Sequence, residues 1–215
     1  MKFLLLILPF STGIHVYVLD FAKLAERRSV GYNGGMTNDN TTAHSKIIAN
    51  EPIDFNNEQA IREQLEDFAQ RYRNAPIEYA RIISPNGRVY TVKGQGSIVH
   101  PHIIGEDALR GSIGIHSHPV PQGGEVSGDS FSKGDLVFAA RDKTGKQYLV
   151  TGERRNAFEF TKEFTLQEIS QAWGEAEKEA IFDAALKNRD VENRQEATLR
   201  ILSEILEGFE YHENF

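Results

Sequence analysis

Between Asn57 and Val92 the hydrophobic period changes once, and that change constrains the fold more than any other feature of the chain. Ile61, Leu65, Phe68 and Tyr72 recur at spacings of four, three and four, with Glu, Gln and Arg between them, which predicts an amphipathic helix from Asn57 to Asn74. Pro76 stops it. IEYARII and RVYTV, on either side of Pro85-Asn86-Gly87, then predict two strands around a tight turn. QYLVTG and NAFEF, separated by a charged turn at Arg154 and Arg155, predict a second hairpin. A helix ahead of a run of strands points to an α+β fold, a mixed, mostly antiparallel sheet flanked by helices.

The flanks of this middle differ in kind. Residues 1–19 hold Lys2 and no other charge before Asp20, so 1–28 is an apolar segment with three readings: a signal peptide, a short membrane anchor, or a pair of buried strands split by Pro9 and Gly13. Residues 29–57, rich in Gly, Asn and Thr, keep neither period and predict a linker or surface loops. The central domain is placed at 58–164. From Thr165 to Phe215 the chain predicts two helices. The first opens on the capping pattern Thr165-x-x-Glu168; the second starts near Val191, with Thr198, Leu202, Ile205 and Phe209 on one face. This tail carries 12 acidic against 5 basic side chains and so accounts for the whole net charge of −7. Its acidity predicts a solvated helical face, with a protein partner as the alternative, and Trp173 is expected to pack the tail on the domain.

Charge and composition exclude some chemistry. An acidic chain lacks the clustered cations that give nucleic-acid binding its affinity, so no nucleic-acid partner is expected. With no Cys, thiolate metal sites and thiol nucleophiles are absent, and any metal must be held by His, Asp and Glu. Whether the chain is exported or cytoplasmic stays open.

The chemistry is expected around His116-Ser-His118-Pro119 and Ser132-x-x-Asp135. Two His at i and i+2 on a strand point to the same face and can reach one ion. Ser132 predicts the cap of a helix from Lys133 to Arg141, which puts Asp135 in its first turn. Two imidazoles and one carboxylate leave a fourth position open, as in a catalytic zinc site, one Zn2+ per chain. Glu78, alone among apolar residues in its strand, is the candidate general base, taking a proton from the attacking water and passing it to the leaving amine. Ser132 is a candidate oxyanion donor as well as a cap.

Glu78, His116-Ser-His118-Pro119 and Ser132-x-x-Asp135 together resemble the JAMM motif of the JAB1/MPN/Mov34 metalloprotease superfamily, over about residues 76–160. Within it, FSKGDL and YLVTG look most like bacterial JAB-like domains of polymorphic toxins and of secreted or phage-associated proteins. The resemblance implies a JAB/MPN-like fold with cytidine-deaminase-like α-β-α layering, and a zinc peptidase or isopeptidase acting on a protein or peptide substrate, as an effector in a toxin context. Two other functions stay open: an inactive scaffold or interaction module, and a hydrolase of a small-molecule or other non-peptide bond. The twelve residues from Val120 to Phe131 exceed the family's usual span, leave substrate class open, and supply rival carboxylate positions at Ser127-x-Asp129. His100-Pro101-His102 is expected to be structural or cleft-lining, and His44 and His212 solvated. Gly94-Gln95-Gly96 follows a strand without opening a helix, which removes it as a phosphate loop.

Overall fold

The computed structural model describes residues 3–10, 13–20, 45–119, 130–152, 154–186 and 194–214. It divides into two compact units, Met1–Asp39 and Asn40–Phe215. In the first, β1 (Phe3–Phe10) and β2 (Gly13–Asp20) pair antiparallel from Phe3 opposite Asp20 to Phe10 opposite Gly13. Pro9 lies inside β1, and Gly13 opens β2. Among the described residues no helix is long and apolar enough to cross a membrane.

The second unit is an α+β fold around a seven-stranded open sheet of order β3-β5-β4-β6-β7-β8-β9. Its strands are β3 (Lys46–Ala49), β4 (Tyr79–Ile83), β5 (Val89–Lys93), β6 (Ile113–Ser117), β7 (Gln147–Thr151), β8 (Arg154–Phe160) and β9 (Phe209–Glu213). Only β6 and β7 run parallel; every other neighbouring pair is antiparallel. Both predicted hairpins form, β4 with β5 and β7 with β8, but Arg154 and Arg155, expected in the turn of the second, begin β8 opposite Thr151 and Val150.

Helix α1 (Glu58–Tyr72) starts where the period places it, with the Asn57 side chain accepting from the backbone N–H groups of Gln59 and Ala60. Its face of Leu65, Phe68 and Ala69 packs with Ile115 and Val150 on one side of the sheet. The fully buried Arg81 guanidinium points to this side and donates to the Gln64 carbonyl and to Asp67 at 2.8 and 2.9 Å. On the other side, α3 (Lys133–Asp142), α4 (Leu166–Leu186) and α5 (Arg194–Ile205) build the larger core, with Phe131, Leu136, Leu149, Phe158, Ile169, Trp173, Leu199 and Leu202. Helices thus cover both faces. A short α2 (Glu106–Leu109) follows a single 3-10 turn at Pro101–Ile104.

Two expectations are corrected. The stretch read as linker or loops, residues 29–57, contains β3, which pairs with β5 as an edge strand; its earlier part, through residue 44, lies outside the described residues. The C-terminal tail is more than two helices. Phe209, expected on the face of the second, begins β9 instead, because Gly208 turns the chain with a φ of 94° that only glycine adopts freely. β9 pairs with β8 and its Phe209 is buried in the larger core, so the tail completes the sheet. Trp173 is a core residue, as expected, and Thr165 and Glu168 form the expected capping box.

Candidate metal centre

The site is built at one end of the antiparallel pair β4–β6. Ala80 stands opposite His116 and Tyr79 opposite Ser117, so one step further the register brings Glu78 across from His118. With a side-chain period of two, Glu78, Ala80, His116 and His118 share the face covered by α3, while Tyr79 and Arg81 take the α1 face. The small Ala80 leaves room beside the His116 ring. His116 and His118 lie with ring centroids 5.1 Å apart, and Phe131 closes over His116 at 5.6 Å. One ligand atom each from Glu78, His116 and His118 fall within 4.8 Å of one another.

Asp135 enters from α3. Ser132 caps this helix: its hydroxyl accepts from the Asp135 N–H at 3.4 Å and donates to Asp135 Oδ2 at 2.7 Å, while the Ser132 N–H donates to the same oxygen at 2.6 Å. That capping box holds Asp135 with its other oxygen, Oδ1, 3.5 Å from His116 Nε2. Asp135 thus approaches His116 but stands outside the set that closes within 4.8 Å, where Glu78 is the carboxylate. The Ser132 hydroxyl, expected to face an oxyanion, is engaged by Asp135.

Electrostatics make this cluster expensive without a cation. Glu78 is 7% exposed, and burial followed by the Asp135 charge pushes its carboxyl up to about 9. Burial drives the His116 imidazole below its usual range; Asp135 opposes the shift and His118 adds to it. The contact of His116 with Asp135 therefore joins a neutral ring to a carboxylate and is no salt bridge. His116 Nε2 is fully buried and has no hydrogen-bond partner, an orphan that native interiors seldom keep. A neutral imidazole with a buried, unpartnered nitrogen, a second imidazole at its side and two nearby carboxylates is a donor set that could hold a divalent metal ion.

The other candidates fall elsewhere. His100 and His102 stack edge to face at 5.3 Å on the 3-10 turn, outside the cluster. His44, Ser127 and Asp129 lie outside the described residues, as does most of the Val120–Phe131 loop; of that loop, Ser130 and Phe131 are buried. A second His-carboxylate group, Glu159, Glu210 and His212, joins β8 to β9 at the surface, where Lys146 Nζ is already 3.7 Å from Glu159. Sequence reasoning missed Ala80, whose place opposite His116 follows from the β4–β6 register, and Phe131, which precedes the Ser132 cap of α3 and meets the His116 ring. No family model matches the chain, and neither a curated protein nor a solved structure matches it.

Proposed function

We propose that the chain is a zinc-dependent hydrolase of amide bonds, a peptidase or isopeptidase. The observation that carries this reading is the convergence of Glu78, His116 and His118 within 4.8 Å, with the buried His116 Nε2 unpartnered. His116 and His118 would hold the ion, with Asp135, whose Oδ1 lies 3.5 Å from His116 Nε2, as the third ligand and Glu78 as the base. Bound there, zinc would supply Lewis acidity to polarise the substrate carbonyl and acidify water.

The rest of the chemistry belongs to the chain. Glu78 accepts the proton that the attacking water gives up as its oxygen bonds to the carbonyl carbon. It then delivers that proton to the nitrogen as the C–N bond breaks, so the amine leaves neutral. A carboxyl pushed up to about 9 by burial and by Asp135 would need a nearby cation to ionise at neutral pH, which a divalent ion at His116 and His118 would supply. Ser132 acts through Asp135, fixing its carboxylate by two hydrogen bonds. Phe131, over the ring of His116, keeps water from one side of the site. The amide preference comes from the resemblance of the motif, since the same groups suit other carbonyl or phosphoryl substrates.

The test is hydrolysis of a peptide library and of isopeptide-linked substrates by zinc-loaded protein, beside Glu78→Gln. Turnover in the wild type that Glu78→Gln abolishes supports the reading. Zinc-loaded protein inert toward both substrate classes refutes it.

A further inference from the structure

Glu78 lies just outside β4, where regular pairing with β5 stops. Tyr79 still stands opposite Lys93. Glu78, in contrast, exchanges its two backbone hydrogen bonds with two different residues. Its carbonyl accepts from the Gly94 N–H at 2.9 Å, and its N–H donates to the Gly96 carbonyl at 2.7 Å. Three residues, Gly94, Gln95 and Gly96, therefore stand against one, which is a β-bulge, and bulges re-aim the side chain opposite them. The bulge is closed on itself by Gln95 and Ile98, each donating its N–H to the other's carbonyl at 2.8 and 3.1 Å. On the β6 side, the next N–H, that of Tyr79, donates to Ser117 Oγ at 3.3 Å.

The bulge closes only without a side chain at Gly94. A Cβ there would stand 2.2 Å from the Ile98 carbonyl oxygen and 2.9 Å from the Glu78 carbonyl oxygen, both backbone atoms that cannot swing aside. Gly96 adds a φ of 55°. We propose that Gly94, through this bulge, is a positioning residue for Glu78, setting the backbone from which its carboxylate reaches His116 and His118. The inference deepens the hydrolase reading and rests on it for its consequence in turnover. Its structural content, the place of the Glu78 carboxylate, stands apart from any activity.

The effect expected of Gly94→Ala is a carboxylate moved by about 1 Å, a displacement that lowers kcat by roughly 10- to 100-fold while KM and zinc content stay near wild type. Gly96→Ala, whose Cβ meets nothing within 4 Å, is the milder companion and serves if Gly94→Ala fails to fold; it should give a smaller loss in the same direction. Gly111→Ala controls for strain alone, since its φ of 67° is equally unfavourable and it lies at the other end of β6. It should lower stability and leave kcat unchanged.

The experiment is a crystal structure of the wild type and of each bulge variant, with kcat, KM and zinc content measured on the same preparations. A displaced Glu78 carboxylate and a selective loss of kcat support the proposal. A carboxylate in its wild-type place overturns it, whatever the activity. So does an active wild type whose bulge variants keep full kcat. If the wild type neither holds zinc nor hydrolyses anything, the hydrolase reading fails, and the crystal structures still decide whether Gly94 places Glu78.

Discussion

Burial, with the Asp135 charge adding to it, pushes the Glu78 carboxyl up to about 9, so that without a cation it keeps its proton at neutral pH. This makes stability depend on pH in a direction opposite to that of most carboxylates. The folded value of about 9 lies above the usual 4.5, so the stabilising contribution of the protonated group is complete below about pH 4.5 and is lost as pH rises toward 9. Metal-free wild type should therefore melt at progressively lower temperature across that window relative to metal-free Glu78→Gln, by thermal denaturation at a series of pH values. Parallel curves for the two proteins would contradict the burial argument. The same substitution separates the two carboxylates by role. Glu78→Gln should keep zinc and lose about 10²- to 10⁴-fold in turnover, whereas His116→Ala and Asp135→Ala should lose both. Zinc lost from Glu78→Gln and kept by Asp135→Ala would exchange the two assignments.

Helix α3 carries Asp135 into the site, and its start is set by Ser132. The Ser132 hydroxyl bonds both the Asp135 N–H and the Asp135 carboxylate, so removing it undoes a cap and frees a candidate ligand together. Ser132→Ala should cost about 1 kcal/mol of stability in denaturant unfolding and weaken zinc binding in a competition titration. A loss of kcat by 10²-fold or more with unchanged zinc affinity would instead mark Ser132 as an oxyanion donor. Elements with a sustained period were legible in the sequence: α1 from its four apolar residues, the first hairpin from its turn and the second from its strands, α3 from its cap, and the His116–His118 pair from strand alternation. Elements decided by pairing were not. β3 is four residues inside a polar stretch, and its place follows from β5 alongside it. β9 was hidden because Phe209 continues the helical spacing of Leu202 and Ile205, and only Gly208 marks the break. Gly94-Gln95-Gly96 had no meaning until register showed Glu78 opposite it.

The second unit as a whole ties its acidic C-terminus to its site. β9 edges the sheet, Arg200 on α5 is bonded to Glu213 on β9 and to Glu196, and Glu196 in turn holds Arg154 at the start of β8. Phe209 packs beside Phe158 and Phe160, and Phe158 meets Phe131, whose other neighbour is His116. Truncation before Phe209 should therefore abolish folding of this unit, and Phe209→Ala should cost about 3 to 5 kcal/mol in denaturant unfolding. A truncated protein that melts like the full chain would restore the tail to an appendage. Of the tail's acidic residues, Glu196 and Glu213 are engaged in these pairs. On α4, Phe182 is exposed beside Asp183.

The proposed hydrolysis requires a metal centre at the end of the β4–β6 pair. The most direct measurement is metal content by mass spectrometry on protein purified without added zinc, beside the His116→Ala His118→Ala double variant. Near one zinc per wild-type chain and none in the folded variant is the predicted result. Wild-type protein that takes up no metal even when zinc is offered would contradict it, leaving the buried carboxylate and the orphaned imidazole nitrogen without the ion that explains them.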